Sequence, residues 1–155
     1  MPLHVPGDQV HEEIADMGTT SFKTKAVYGN SASLMIATRP AGYHSRPHRH
    51  ACEQLNLLRA GEVWVFIEER AFRLKAGDFL RIPAGAVHWA WNKSGAPCEM
   101  VEVHSPGLQH DPTVSEFAVG LFDEQETPEP QGTPVNELLP ADAGFDPAVV
   151  EKQAE

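Results

Sequence analysis

Gly42-Tyr43-His44-Ser45-Arg46-Pro47-His48-Arg49-His50 is the stretch on which the reading of this chain turns, together with Pro83-Ala84-Gly85-Ala86-Val87-His88 further on. His48 and His50 stand two residues apart. On a β-strand, side chains two apart share a face, so both imidazoles point the same way. Pro83-Ala84-Gly85 is a turn signal that lets His88 face back toward the first pair. Neutral imidazole is the commonest protein metal ligand. Three histidines gathered from two strand segments therefore read as one divalent metal site, and the chemistry of the chain is expected there. His4, His11 and His110 fit no such pattern and are read as ordinary core or surface residues.

Around this stretch the chain reads as short strands punctuated by glycine and proline. Candidates run over residues 22–28, 33–38, 46–52, 54–59, 62–67, 71–74, 78–82, 87–91 and 98–104. Tyr28-Gly29-Asn30, Arg39-Pro40-Ala41-Gly42, Ala60-Gly61, Ala76-Gly77-Asp78 and Ser94-Gly95-Ala96-Pro97 separate them as turns. Many short strands at this spacing indicate an all-β sandwich or barrel. Residues 1–122 are assigned to one domain. The composition changes after Phe122, where Asp123-Glu124-Gln125-Glu126-Thr127-Pro128-Glu129-Pro130 is acidic, proline-rich and has almost nothing to bury. Residues 123–155 are therefore expected to form an irregular C-terminal extension. Its apolar islands, Leu138-Leu139 and Phe145, are suited to dock on the body or on a second subunit. Residues 147–152 suit a short helix with proline in its first turn.

The bulk properties narrow the function. A chain of 155 residues with 41% hydrophobic and 22% charged residues is an ordinary globular domain with room for a core. A net charge of −10 argues against nucleic acid or an anionic membrane surface as partner. No apolar run approaches a membrane span, and no basic segment followed by an apolar stretch marks a secretory signal. Cys52 and Cys98 are the only cysteines, too few for a disulfide framework, so a cytoplasmic location is expected. Cys52 is read as a small buried apolar residue.

Gly42, His48, His50 and Gly61 fit the first motif of the cupin family, with Gln54 at the usual glutamate position; Gly77, Pro83, Gly85, His88 and Asn92 match every position of the second. The chain thus resembles the small single-domain cupins over roughly residues 31–105. The resemblance implies a double-stranded β-helix, a jelly-roll barrel. It says little about reaction, because one fold hosts many chemistries. Members of the family include dioxygenases, isomerases, epimerases, decarboxylases, lyases and pure binding proteins.

The fourth ligand departs from the family pattern, since glutamate is usual there. Gln54 shares parity with His48 and His50, whereas Glu53 faces the other way on a regular strand; a bulge would reverse this. Gln54 is the expected ligand. Three imidazoles and an amide leave the ion its full 2+ charge and favour anionic oxygen ligands. One divalent ion per chain is expected, Fe(II) favoured, with Mn, Ni, Co or Zn open. On the final strand, Glu102 and His104 alternate with Val101 and Val103. If the valines pack outward, Glu102 is a candidate general base and His104 a proton shuttle or substrate contact. Arg46 and His44 share parity with His48 and are candidate substrate contacts near the mouth. Trp64, Trp89 and Trp91 are read as core or interface residues rather than substrate platforms. The function expected is a dioxygenase acting on a small oxygen-rich substrate. A non-redox lyase or isomerase of sugar acids and a non-catalytic ligand-binding protein stay open. Family members are commonly dimers, and a homodimer covered by the N-terminal strands with Phe22, Val27 and Tyr28 is expected.

Overall fold

A computed structural model describes residues 3–17, 20–107, 118–123 and 135–155. Twelve strands occur among them: β1 Glu13–Asp16, β2 Ser21–Tyr28, β3 Ser33–Arg39, β4 His48–Arg49, β5 Glu53–Ala60, β6 Glu62–Ile67, β7 Arg70–Lys75, β8 Phe79–Ile82, β9 His88–Trp91, β10 Cys98–Ser105, β11 Val119–Gly120 and β12 Glu137–Leu138. A short helix, α1 Pro147–Glu151, and a 3₁₀ turn, Lys152–Ala154, close the chain. The strands form two facing sheets. One runs β1-β2-β3-β10-β5-β8, with β11 added parallel to β2; the other runs β12-β4-β9-β6-β7. The chain is an all-β jelly-roll barrel, as expected. No described helix is long and apolar enough to cross a membrane.

Period-two alternation builds the interior. On β10, Cys98, Met100, Glu102 and His104 are buried while Glu99, Val101 and Val103 are only partly so. On β5, Gln54, Asn56 and Leu58 turn inward. Pairing sets His104 beside Gln54 and Glu102 beside Asn56. The same two strands therefore change from apolar to polar along their length. Leu58, Met100 and Cys98, with Val63 and Leu74, fill one end of the barrel. The other end is lined by amides, imidazoles and a carboxylate. Between β5 and β6 the chain reverses at Gly61, with φ of +81°. A Cβ there would meet the Pro97 carbonyl oxygen at 2.8 Å, so conformation and space both require glycine.

The strand expected over residues 46–52 shrinks to His48–Arg49. Pro47 has no N–H to give a ladder. Beyond His50 the chain bends at Ala51 and Cys52 and crosses from one sheet to the other, entering β5 at Glu53. The Gly85 N–H, 2.9 Å from the His50 carbonyl, ties that crossing to the turn before β9. Asn92, the last residue of the second motif, is a pin. Its buried amide donates to the Arg39, Pro40 and Ala96 carbonyls and accepts from Ser94, joining the loops that precede β4 and β10.

The outer face of the five-stranded sheet is aromatic and covered. Trp89 stacks on Phe66 at 4.9 Å and on Phe145 at 6.2 Å, and Val150 and Ala154 complete the cluster. Asp146 caps α1 by accepting the Ala148 N–H at 2.9 Å, with Pro147 in the first turn. The Trp89 indole N–H donates to Glu151 at 2.8 Å. Residues 143–154 thus dock on the body, with Phe145 as the apolar island that packs. Leu138 and Leu139 remain half exposed. The expected irregular stretch at 124–134 and His110 lie outside the described residues. Phe22 is not on the surface: it is 3% exposed and packs edge-on against Tyr43 at 5.5 Å. It cannot serve as dimer cover, because β2 turns that position into the barrel.

Candidate metal centre

His48 and His88 are register partners on β4 and β9. Their rings lie 4.3 Å apart, and the His50 ring is 4.8 Å from that of His88. The ligand atoms of all three fall within 4.8 Å of one another. Each Nδ1 is held by a backbone carbonyl two residues away: His48 by Arg46 at 2.7 Å, His50 by Cys52 at 3.1 Å, His88 by Ala86 at 2.9 Å. A neutral imidazole whose Nδ1–H donates keeps its lone pair on Nε2. Three lone pairs thus converge, and the buried His88 Nε2 has no hydrogen-bond partner. Burial lowers the pKa of all three, that of His48 to about 4, so the imidazoles are neutral and available to a cation at pH 7.

Gln54 is buried in the same wall. Its Nε2 donates to Asn56 at 2.9 Å and to Glu102 at 3.2 Å, which turns its Oε1 toward His50 Nε2, 3.2 Å away. With His50 Nδ1–H given to the backbone, two acceptors face each other across that gap. A shared cation would resolve the opposition, and three nitrogens with one amide oxygen form a donor set suited to a divalent ion. Glu53 points outward and pairs with Arg81 at 2.6 Å on the surface. β5 is regular at Glu53 and Gln54, with no bulge to exchange them.

Glu102 is 3% exposed. Its Oε1 accepts from Arg39 Nη2 at 2.6 Å, and its Oε2 accepts from Gln54. The carboxylate is therefore wired to the amide beside the three imidazoles. His104 is 2% exposed, its Nε2 3.9 Å from Glu102. Burial, then His50 and His48, push its pKa to about 3. It stands as a neutral ring beside the site, and its Nδ1 has no partner.

Arg46 and His44 do not join this group. Arg46 is exposed and absent from the cavity wall. His44 bridges to Trp91, lies 5.0 Å from its ring, and contacts Glu151 at 2.6 Å on the outer face. Ser45 turns inward instead, its Oγ accepting the Ala90 N–H at 2.9 Å. Ser45 and His48 both face the cavity although three positions separate them, so parity slips at Arg46-Pro47. Counting back from His48 by twos missed that slip. Cys52 is buried in the apolar core, as expected, and its Sγ also lies 3.0 Å from His50 Nδ1. Trp89, Trp64 and Trp91 belong to the outer face and its packing. Sequence reasoning passed over Asn56 and Arg39. Asn56 shares the parity of Gln54. Arg39 continues the inward alternation Met35, Ala37, Arg39 one residue past the expected strand end. The cavity these groups line has a volume of about 50 Å³.

Residues 35–104 match the family model described as the cupin domain. Among solved structures, a predicted oxalate decarboxylase from Thermotoga maritima is similar, with a TM-score of 0.60 and 16% identity over 66% of this chain and 98% of that one. The polyketide cyclase RemF from Streptomyces resistomycificus gives 0.59 and 17%, over 66% and 78% of the two chains. A sugar phosphate isomerase of the cupin superfamily from Silicibacter pomeroyi gives 0.58 and 15%, over 66% and 74%. At such identities the likeness is one of fold. No curated protein matches the chain.

Proposed function

Starting from a chain that belongs to the cupin superfamily, we propose a metal-dependent enzyme that acts on a small oxygen-rich substrate. His48, His50, His88 and Gln54 hold one divalent ion, and Glu102 moves a proton. The observation that carries this reading is the convergence of three imidazole Nε2 atoms and the Gln54 oxygen beside a buried carboxylate. When bound, the ion supplies Lewis acidity at full 2+ charge, since no ligand is anionic. The backbone carbonyls of Arg46, Cys52 and Ala86 orient the rings. Gln54 joins the site to Glu102, which accepts a proton from the substrate carbon or hydroxyl. Arg39, whose Nη2 donates to Oε1 at 2.6 Å, keeps that carboxylate aimed. The buried wall excludes bulk water.

With Fe(II), the favoured ion, the reading is a dioxygenase of diketones, phenolic acids or keto acids. With Zn, Mn, Ni or Co it is a non-redox lyase or isomerase of sugar acids. Glu102 supplies the base that this second reading requires. Binding without turnover would make the protein a sensor of the same ligands. The test is an aerobic preparation of measured metal content, screened with diketones, keto acids, uronates and phenolic acids. Oxygen uptake selects the dioxygenase; turnover without it selects the lyase or isomerase. Glu102→Gln should keep the metal and lose about 10²-fold or more in turnover. Unchanged turnover would remove Glu102 from this role.

Cys52 and Cys98 are buried and form no disulfide, which fits a reducing cytoplasm. A homodimer is proposed through the outer face of the larger sheet rather than through Phe22. Leu34, Val103 and Leu55 stand in one cross-strand row there, and Phe79 is 79% exposed beside Leu57. Light scattering should report about twice the 17.0 kDa chain mass; a monomer would refute it.

A further inference from the structure

Arg39 carries more donors than its partner uses. Its guanidinium lies among the aromatic rings of Phe22 and Tyr43, 5.1 and 5.4 Å from their centroids. The side chain is 9% exposed. Nη2 donates to Glu102 at 2.6 Å, while Nε and Nη1 are buried with no hydrogen-bond partner. A guanidinium holds five N–H groups in a fixed fork and keeps its charge in any protein. One bond suffices to pair Glu102. Leaving two further buried donors of a cation unsatisfied is costly, and such orphans call for an acceptor. Arg39 lines the same cavity as His48, His50 and His88, from the facing sheet.

We propose that Arg39 forms an anion subsite that binds a carboxylate or enolate oxygen of the substrate across the cavity from the three histidines. The subsite rests on the reading of this cavity as the substrate site and names the substrate class: small organic anions with two oxygen-bearing groups, such as 2-oxo acids and short dicarboxylates. One oxygen group faces the imidazole cluster and the other takes the Arg39 donors. The cavity is about 50 Å³, room for roughly three or four waters. That suits a carboxylate-sized group. Among the neighbours at the same end, the Ser45 hydroxyl donates to the Ala90 carbonyl and the Asn56 Oδ1 accepts from Gln54. Arg39 is the cation of this wall, and two of its donors are buried without a partner. The role sought for Arg46 in the sequence falls to an arginine seven positions earlier, inside the barrel.

Oxalate and pyruvate, with the uncharged oxamide as control, provide the test by calorimetric titration of the full chain, metal-free and loaded with Zn. Wild type should bind oxalate and pyruvate, and oxamide about tenfold or more weakly. Arg39→Lys retains a cation to pair Glu102 but lacks the fork. It should keep full zinc content while losing about tenfold or more in affinity for both anions. If that variant misfolds, the Arg39→Gln/Glu102→Gln double variant, which buries no unpaired charge, takes its place with the same expectation. A crystal soaked in oxalate should show an oxygen within hydrogen-bond distance of Nε or Nη1. Anion binding unchanged in these variants would overturn the subsite and leave the metal centre standing. Loss of zinc binding by wild type, with Arg39-dependent pyruvate binding intact, would overturn the metal centre and leave the subsite.

Discussion

Arg39→Met should destabilise the chain far more than the loss of one surface ion pair. Both members of the Arg39–Glu102 pair are under a tenth exposed, and the contact is 2.6 Å. Removing the cation leaves a carboxylate in the barrel with only the Gln54 amide to answer it. Breaking one side of such a pair costs about 3–5 kcal/mol. Glu102→Gln leaves the guanidinium charge unpaired and should cost a comparable amount, reduced because the new amide oxygen still accepts. The Arg39→Met/Glu102→Gln double variant buries no charge. It should cost less than the sum of the singles, by about 2 kcal/mol or more. For a chain of this size about 1 kcal/mol moves the melting temperature by roughly 2–4 °C. Arg39→Met should therefore melt about 6 °C or more below wild type, on the low side of that scale. The assay is urea unfolding of metal-free protein, since bound metal would add its own stabilisation. Single-variant costs that add within about 0.5 kcal/mol would show the two groups to be uncoupled.

Three further outcomes follow from the geometry. Gln54→Ala should weaken divalent-ion affinity measured by competition with a chelator, whereas Glu53→Ala, which removes only an exposed pair with Arg81, should leave it unchanged; the reverse order contradicts the ligand assignment. Acid should destabilise the metal-free protein. Burial holds His48 and His104 at about 4 and 3, below the ordinary value of about 6.5, so the unfolded chain binds more protons. Stability is complete above about pH 6.5 and falls as pH drops toward 4, by up to about 1.4 kcal/mol per pH unit for each imidazole. A urea midpoint that stays level from pH 7 to 4.5 contradicts this. Phe145→Ala should cost about 1–3 kcal/mol by uncovering Trp89. Quenching of tryptophan fluorescence by acrylamide should then rise; unchanged quenching would show that the C-terminal segment is not held by this stack.

The barrel and most of the wall around the three histidines were legible because alternation on a regular strand is a local property. His50, Gln54, Glu102 and His104 lie where parity puts them. Parity fails where the strand fails. Pro47 interrupts the ladder, Ser45 takes the inward place, and His44 and Arg46 turn away from the cavity. Arg39 looked like part of a turn because Pro40 follows it, yet the inward alternation of β3 runs through it. β1 and β12 escaped notice for another reason. Glu13–Asp16 and Glu137–Leu138 carry no β-branched or aromatic run beyond Ile14, and they exist as strands because they pair with β2 and β4. Tertiary pairing there outweighs weak local propensity. The buried ion pair had no sequence signal, since its members are separated by most of the barrel and meet only when β3 and β10 align.

The central claim is one divalent ion held by His48, His50, His88 and Gln54, and elemental analysis tests it most directly. Protein purified without chelator and then dialysed against Fe(II), Mn, Co, Ni or Zn in turn should retain about one ion per chain with at least one of them. The His48→Ala/His88→Ala double variant, folded by circular dichroism, should retain none. Full occupancy in that variant, or no retention of any of these ions by wild type, would contradict the account.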